Sequence, residues 1–173
     1  MLTASPQIAT RAGLAALIPS GGIAVELGVA AADFSVALLE ANPSFARLYS
    51  VDRWADHHDA AEAEVAARRL APFGRRSSIL HSSFADAALR FAPGYFDFIY
   101  IDGYAHTGQE AGATLRDWWP LLRPGGIFAG HDYDPAWPLT VAAVDAHVAT
   151  HGLALNLTTE VENPSWWLIK PAA

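Results

Sequence analysis

Four acidic residues each stand within or just after a short apolar segment of this 173-residue chain: Glu26, Asp52, Asp102 and Asp132. Glu26 precedes Gly28 by two residues, where a glycine lets the backbone turn sharply and approach a ligand. Asp52 follows Gly28 by 24 residues, about the separation at which a βαβ unit places the acid that binds a ribose diol. These residues predict a nucleotide-type ligand at the edge of a parallel sheet.

Glu26 and Asp52 also have purely structural interpretations. A carboxylate inside an apolar strand costs several kcal/mol unless it has a partner, so Glu26 requires either an ion pair or helix-terminus contact, or a ligand. Asp52 is alternatively an ordinary acid at a strand end that caps the next turn. Position and spacing favour ligand binding for both residues.

Two later segments end in acids beside histidines. The first runs from 95 to 101 and delivers Asp102, with His106 four residues on; the second, from 126 to 130, delivers His131 and Asp132. Because neighbouring parallel strands end at one sheet edge, we expect Asp102 and Asp132 to converge, with a histidine as third ligand or base. Carboxylate oxygens suit Mg²⁺ or another hard divalent ion. Alternatively, these side chains only close turns and cap a helix.

The elements that must position these residues alternate along the chain. Predicted strands cover 23–28, 47–51, 77–81, 95–101, 126–130, 153–159 and 165–170. Predicted helices cover 5–17, with Ser5 as a possible cap, then 32–41, 56–70, 84–91, 107–119 and 138–150. This alternation predicts a doubly wound α/β fold with a seven-stranded, mostly parallel sheet. The last two strands have no helix between them and predict a C-terminal hairpin with one antiparallel strand.

Composition limits the class of protein. The length predicts one domain over residues 1–173, with an N-terminal helix within 1–20. A net charge of −7 without clusters of Lys or Arg argues against a nucleic-acid partner. The chain contains no cysteine, which excludes disulfides and thiolate sites and fits a cytoplasmic protein. The apolar stretch 12–18 is too short to span a membrane, and we expect no signal peptide because Gly22 already begins the predicted ligand site.

Two further interpretations concern side chains away from the predicted site. Asp97 lies early in its strand, and we expect its side chain to form a hydrogen bond with the backbone at the start of the strand. His147 and His151 have helical spacing without a metalloprotease glutamate between them, and we interpret both as surface residues.

The segment Glu26-Leu27-Gly28-Val29 with Asp33-Phe34-Ser35, followed by Asp52, resembles the first motif and ribose-binding acid of the class I S-adenosylmethionine-dependent methyltransferases. The element order extends this resemblance over nearly the whole chain, although Ala32 stands where that motif usually has its second glycine. The resemblance implies that Glu26 lies near the methionine moiety, that Gly28 and Asp102 border the cofactor, and that Asp52 binds its ribose.

The resemblance also implies an adenine site at Ser83 and Phe84, after the third strand. The alternative is structural, with Ser82 or Ser83 as a helix cap and Phe84 in the core.

Among such enzymes, the paired acid segments are similar to the metal-dependent macrolide-sugar O-methyltransferase group. That group has an Asp-Gly-x-His segment, whereas here one further residue separates Asp102 from His106. The resemblance implies a divalent ion such as Mg²⁺ held by Asp102, Asp132 and His131. It also implies that Asp102, His106 and His131 take part in catalysis, with either histidine as the base.

The sequence therefore predicts methyl transfer from S-adenosylmethionine to a small-molecule acceptor, at a hydroxyl oxygen. The N-terminal helix or a second subunit is expected to cover the acceptor side, which predicts a homodimer. One alternative is a noncatalytic cofactor-binding protein or subunit that needs a partner. Another is an NAD-dependent oxidoreductase, which is disfavoured because the chain lacks a complete Gly-x-Gly-x-x-Gly motif.

Overall fold

A computed structural model describes residues 6–55 and 58–172, and seven strands lie among these residues. The strands are β1 Ile23–Leu27, β2 Arg47–Asp52, β3 Ser77–His81, β4 Phe96–Ile101, β5 Leu122–Gly130, β6 Asn156–Leu157 and β7 Trp166–Ile169. They form one sheet in the order β3-β2-β1-β4-β5-β7-β6. Strands β1 to β5 are parallel, and β7 runs antiparallel to both β5 and β6. The predicted sheet and its closing hairpin are confirmed, although β6 has only two residues.

Helices cover both faces of the sheet. They are α1 Asp33–Ala41, α2 Ala60–Leu70, α3 Phe84–Ala88, α4 Gly108–Ala111, α5 Ala113–Trp118 and α6 Pro138–His151. One core includes Leu38 of α1 and Leu70 of α2, and the opposite core includes Trp118 of α5 and Val144 of α6. Alternate residues of the central strands point into the two cores, which gives the doubly wound arrangement that the sequence predicts.

The predicted N-terminal helix is largely wrong. Ser5 lies outside the described residues, and residues 6–10 are not helical. A short 3₁₀ helix covers Arg11–Leu17 instead. Before it, the carbonyl of Ile8 accepts a hydrogen bond of 3.0 Å from the amide of Thr159, so this segment is tied to the β6–β7 connection rather than coiled.

The predicted helix 107–119 is interrupted at its start. All residues from Gly108 to Gly112 have positive φ, so α4 is a left-handed turn, and right-handed helix begins only at Ala113. A Cβ atom on Gly108 would lie 2.5 Å from the carbonyl oxygen of Leu139, so α6 packs directly on this turn. The side-chain Nε2 of Gln109 donates to Thr140 Oγ1 of α6 at 3.2 Å, which helps to hold a conformation that costs ~1–2 kcal/mol per non-glycine residue.

Helix α2 begins later than the predicted helix 56–70. Residues 56 and 57 lie outside the described part of the chain. Asp59 caps α2 by accepting hydrogen bonds from the amides of Ala61 and Glu62.

Asp97 joins three strands at the edge opposite the predicted site. Its Oδ2 accepts a hydrogen bond of 2.7 Å from the amide of Ile23 at the start of β1, as the sequence analysis expects. Its Oδ1 pairs with the guanidinium of Arg123 in β5. The amino ends of β1, β4 and β5 are thereby held together by one carboxylate.

His147 is buried, which corrects its interpretation as a surface residue. It is 6% exposed and packs on Trp119 and Phe128, with ring centroids at 4.9 and 5.4 Å. Burial, with a smaller contribution from the charge of His151, lowers the pKa of His147 from 6.5 to about 4. The residue is therefore a neutral member of the core.

Across the described residues, no helix combines the length and apolar character needed to cross a bilayer.

Candidate active site

The turn after β1 brings two strand ends into direct contact. Gly28 has φ +94°, a value that disfavours any residue with a side chain. A Cβ atom there would lie 2.1 Å from the carbonyl oxygen of Asp102, and the Asp102 amide donates to Leu27 at 2.7 Å. The glycine thus lets the carboxyl ends of β1 and β4 meet at the floor of a crevice, where such folds bind ligands.

Asp52 organises the backbone of this turn. Its Oδ2 accepts hydrogen bonds from the amides of Val29 at 2.7 Å and Ala30 at 3.0 Å. Its Oδ1 accepts from the amide of Trp54 at 2.8 Å, so Asp52 also caps the turn after β2. Asp52 still borders the crevice, and Oδ1, which accepts one hydrogen bond, has a further lone pair for a ligand, whereas Oδ2 already accepts two. The structural and ligand-binding interpretations of Asp52 are therefore compatible.

Glu26 is 1% exposed and accepts a hydrogen bond from the hydroxyl of Ser35 in α1. Ser35 in turn lies 2.7 Å from the hydroxyl of Ser50 in β2. Burial raises the pKa of Glu26 well above its usual 4.5, and the Ser35 hydrogen bond only partly opposes this effect. The partner of this carboxyl is thus a neutral hydroxyl.

Asp102, His131 and Asp132 converge at the ends of β4 and β5. His131 Nδ1 lies 2.9 Å from Asp132 Oδ1 and 3.6 Å from Asp102 Oδ1. The backbone supports this arrangement, because the His131 amide donates to Ile101 at 2.9 Å and Asp132 adopts a left-handed φ of +62°. One ligand atom from each of the three residues lies within 4.8 Å of the others. Two carboxylates and an imidazole at this spacing fit a hard divalent cation.

Burial and neighbouring charges shift the pKa values of His131 and Asp102 in this cluster. Burial lowers the pKa of His131, but the hydrogen bond to Asp132 and the charge of Asp102 outweigh it, so the pKa lies above the usual 6.5. Burial raises the pKa of Asp102, and the positive charges of His131 and Arg11 oppose that rise without cancelling it. The cluster therefore balances acids against neighbouring cations.

Arg11 is a site residue that sequence reasoning missed. Its Nη1 lies 2.8 Å from Asp102 Oδ2, and its guanidinium lies 5.0 Å from the ring centroid of Phe34. Its backbone amide donates to Glu160 Oε2 at 3.1 Å. Arg11 and Asp102 are 91 residues apart, and nothing in a lone arginine before an apolar stretch signals that contact.

Two adjoining cavities share Gly28, His58 and Asp102 in their walls. The larger has a volume of about 550 Å³ and also contacts Asp52, Phe84 and Asp132. The smaller, of about 240 Å³, is lined besides by Arg11, Glu26, Val29, Ala30, Asp33 and Phe34. The acids singled out in the sequence therefore surround one bipartite crevice.

Three remaining sequence candidates take different positions. Ser83 caps α3, since its Oγ accepts from the amide of Asp86 at 3.1 Å and donates to that side chain at 2.7 Å, and it lines neither cavity. Phe84 forms a wall of the larger cavity, with its ring against Gly103 and Tyr104. His106 borders the same cavity but is outside the Asp102, His131 and Asp132 cluster.

Comparisons with known proteins match one family model to this chain. A family model described as a methyltransferase domain matches residues 25–133, more than half of the chain. No curated protein sequence gives a significant match.

Solved structures show the same fold at low sequence identity. A Corynebacterium glutamicum protein aligns with TM-score 0.72 and 17% identity, covering 94% of this chain and 79% of its own. A precorrin-6y C5,15-methyltransferase from Geobacter metallireducens gives 0.67 and 15%, with coverage of 99% and 94%. An O-methyltransferase from Bacillus cereus in complex with S-adenosylhomocysteine gives 0.67 and 13%, with coverage of 91% and 77%.

Proposed function

The chain belongs to the S-adenosylmethionine-dependent methyltransferases, and from that membership we propose that it methylates a hydroxyl oxygen of a small molecule with the help of a divalent cation such as Mg²⁺. The family assignment decides against the noncatalytic and NAD-dependent alternatives. The observation that carries the rest of the proposal is the convergence of Asp102, His131 and Asp132, because the two aspartates of this cluster line the crevice that begins at Gly28.

The cofactor is proposed to bind along the carboxyl edge of β1, β2 and β4. Asp52 borders the larger cavity beside Gly28, a position suited to hydrogen bonds with ribose hydroxyls. Phe84 offers an apolar wall for adenine, whereas Ser83 already uses its hydroxyl in the α3 cap. Glu26 lines the smaller cavity and is proposed to face the methionine moiety.

Asp102, Asp132 and His131 are proposed to hold the cation. These three residues would hold the ion, which would act as a Lewis acid that makes the acceptor hydroxyl easier to deprotonate. Asp102 Oδ1 faces His131, whereas Oδ2 faces Arg11, so the carboxylate presents one oxygen to each neighbour.

Methyl transfer places simple demands on the protein. The acceptor oxygen forms a bond to the methyl carbon, the carbon–sulfur bond breaks, and its electron pair remains on sulfur. The site must align the two reactants and receive the acceptor proton. His106 is the proposed base, because it borders the larger cavity outside the cluster. A cation held by His131 would occupy the nitrogen lone pair that His131 needs to accept a proton, so His131 could be the base only if the two aspartates alone held the ion.

The class of acceptor and the oligomeric state are also part of the proposal. A chain of net charge −7 without basic clusters favours a small molecule over nucleic acid. We propose a single-domain, cytoplasmic enzyme that acts as a homodimer, in which the second copy covers the acceptor side of the larger cavity.

A methyl-transfer assay tests the proposal. The purified protein is given methyl-tritiated S-adenosylmethionine and a panel of small hydroxyl, amine and thiol acceptors, with Mg²⁺ or with EDTA. We expect label on a hydroxyl compound, loss of transfer in EDTA and recovery when Mg²⁺ is restored. Transfer confined to amines or thiols would contradict the acceptor class, and undiminished transfer in EDTA would contradict the cation.

A further inference from the structure

The smaller cavity has an unusual charge pattern for its size. Its lining includes the carboxyl groups of Glu26, Asp33 and Asp102, and Arg11 is the one Lys or Arg among its described lining residues. Arg11 and Asp102 are paired with each other at 2.8 Å, and their side chains are 33% and 22% exposed. A cavity with a positive and a negative side chain side by side is complementary to a ligand group that carries a negative and a positive charge.

The cofactor has a part of this kind. S-adenosylmethionine consists of an adenosine group and an amino-acid tail with an α-ammonium and an α-carboxylate, joined at sulfur. If adenosine lies against Asp52 and Phe84 in the larger cavity, the tail extends past Gly28, which belongs to both cavities. The tail then reaches the Arg11–Asp102 ion pair, since both residues line the smaller cavity.

We propose that Arg11 binds the α-carboxylate of the cofactor while Asp102 Oδ2 receives the α-ammonium. In the described structure these two side chains form an ion pair with each other. When the tail binds, two ion pairs replace it: Arg11 with the α-carboxylate, and Asp102 with the α-ammonium. Neither side chain is left as an uncompensated, partly buried charge before or after binding. The inference rests on the proposed placement of the cofactor and adds a binding residue that lies outside the family match at 25–133.

The backbone around Arg11 fixes the reach of its side chain. The Arg11 amide bonds Glu160, and Glu160 also accepts from the hydroxyl of Thr158 at 2.8 Å. The ring of Phe34 lies under the guanidinium and restricts its orientation. The contact of the Arg11 backbone with Glu160 does not involve Asp102, so it can anchor the residue while the side chain exchanges one partner for another.

Two probes that differ in the tail test the assignment. S-adenosylhomocysteine has the complete amino-acid tail, whereas 5′-methylthioadenosine has the same nucleoside and sulfur without it. Calorimetric titration of the Arg11→Gln variant should show affinity for S-adenosylhomocysteine reduced by about 10- to 100-fold, the range expected when a charge-assisted hydrogen bond is lost. Affinity for 5′-methylthioadenosine should equal that of the wild type.

Two further variants control for charge and folding. Arg68→Gln removes the same charge from an exposed pair with Glu64 and should bind both probes as the wild type does. Arg11→Lys keeps the charge without the planar fork and should lose less affinity for S-adenosylhomocysteine than Arg11→Gln. Circular dichroism establishes that each variant is folded.

The outcomes separate this inference from the proposed function. Equal losses for both probes in Arg11→Gln and Arg11→Lys, or no loss for either, would overturn the role of Arg11 and leave the cofactor assignment intact. If the wild type bound neither probe, the cofactor placement and the inference would both be overturned.

Discussion

Gly28 and Asp102 approach so closely that a Cβ atom on the glycine would lie 2.1 Å from the carbonyl oxygen of the aspartate. We predict that Gly28→Ala separates the ends of β1 and β4 and destabilises the protein by more than ~3 kcal/mol, since backbone overlap adds to an unfavourable φ. Gly152→Ala is the matched control, because Gly152 has φ +61° and a Cβ atom there would meet nothing within 4 Å. It should cost only about 1 kcal/mol in urea unfolding. Equal losses would show that the contact with Asp102 is unimportant.

Asp52→Ala should weaken both S-adenosylhomocysteine and 5′-methylthioadenosine, in contrast to changes at Arg11. The variant removes the acceptor for the Val29 and Ala30 amides together with the proposed ribose contact. Each lost hydrogen bond is worth roughly 1–3 kcal/mol. Calorimetry with both probes checks this, and a loss confined to S-adenosylhomocysteine would place the nucleoside elsewhere.

Asp132→Asn should lower the affinity for Mn²⁺, used as a paramagnetic probe of the cation site, by at least about tenfold, because a carboxylate ligand becomes a neutral amide. Affinity for S-adenosylhomocysteine should not change. His106→Ala should retain Mn²⁺ affinity, since His106 lies outside the cluster of Asp102, His131 and Asp132. Electron paramagnetic resonance measures the free ion in each titration. Wild-type protein that leaves Mn²⁺ free would remove the basis for the cation.

Glu26→Gln should make the protein more stable at neutral pH while it weakens cofactor binding. Burial raises the pKa of Glu26, so the folded state holds its proton more tightly than the unfolded chain, and the free energy of unfolding falls as pH rises above the usual 4.5. A neutral amide removes that pH-dependent loss and can still accept from Ser35. We expect a gain of roughly 1–3 kcal/mol in urea unfolding at pH 7. Lower stability of the variant would contradict a costly buried carboxylate.

His147 should make stability fall as the solution is acidified. Its pKa is lowered to about 4, so between that value and 6.5 the unfolded chain binds the proton that the folded core excludes. The free energy of unfolding should therefore decrease from pH 6.5 to 4, by up to about 3 kcal/mol from this residue. Urea unfolding of His147→Leu should show a shallower slope over that interval, whereas His151→Gln should retain most of it. Identical slopes in the wild type and His147→Leu would assign the acid sensitivity to other groups.

The sequence predicts the sheet well because its strands are short apolar runs with acids or glycines at their ends. The same pattern predicts that Asp102 and Asp132 meet, since parallel strands end at one edge. Both inferences depend on the local chain and on a general topological rule. They require no knowledge of side-chain packing.

Contacts between distant segments could not be predicted in this way. Arg11 reaches Asp102 only because the segment before β1 is tied to Glu160 near the other end of the chain. The left-handed turn after Gly108 depends on packing against α6, which overrides a helical sequence pattern. His147 looks like a surface residue by spacing, yet Trp119 and Phe128 enclose it.

The contacts that Asp97 makes at the amino ends of β1, β4 and β5 matter for protein engineering, because they lie at the opposite edge of the sheet from the site. Its contacts with Ile23 and Arg123 lie at the end of β4 opposite Asp102. Substitutions that improve heat resistance can therefore be sought around Asp97, where they avoid direct contact with the reacting groups. New acceptor specificity can be sought at the carboxyl edge, among residues other than those proposed to bind the cofactor and the cation.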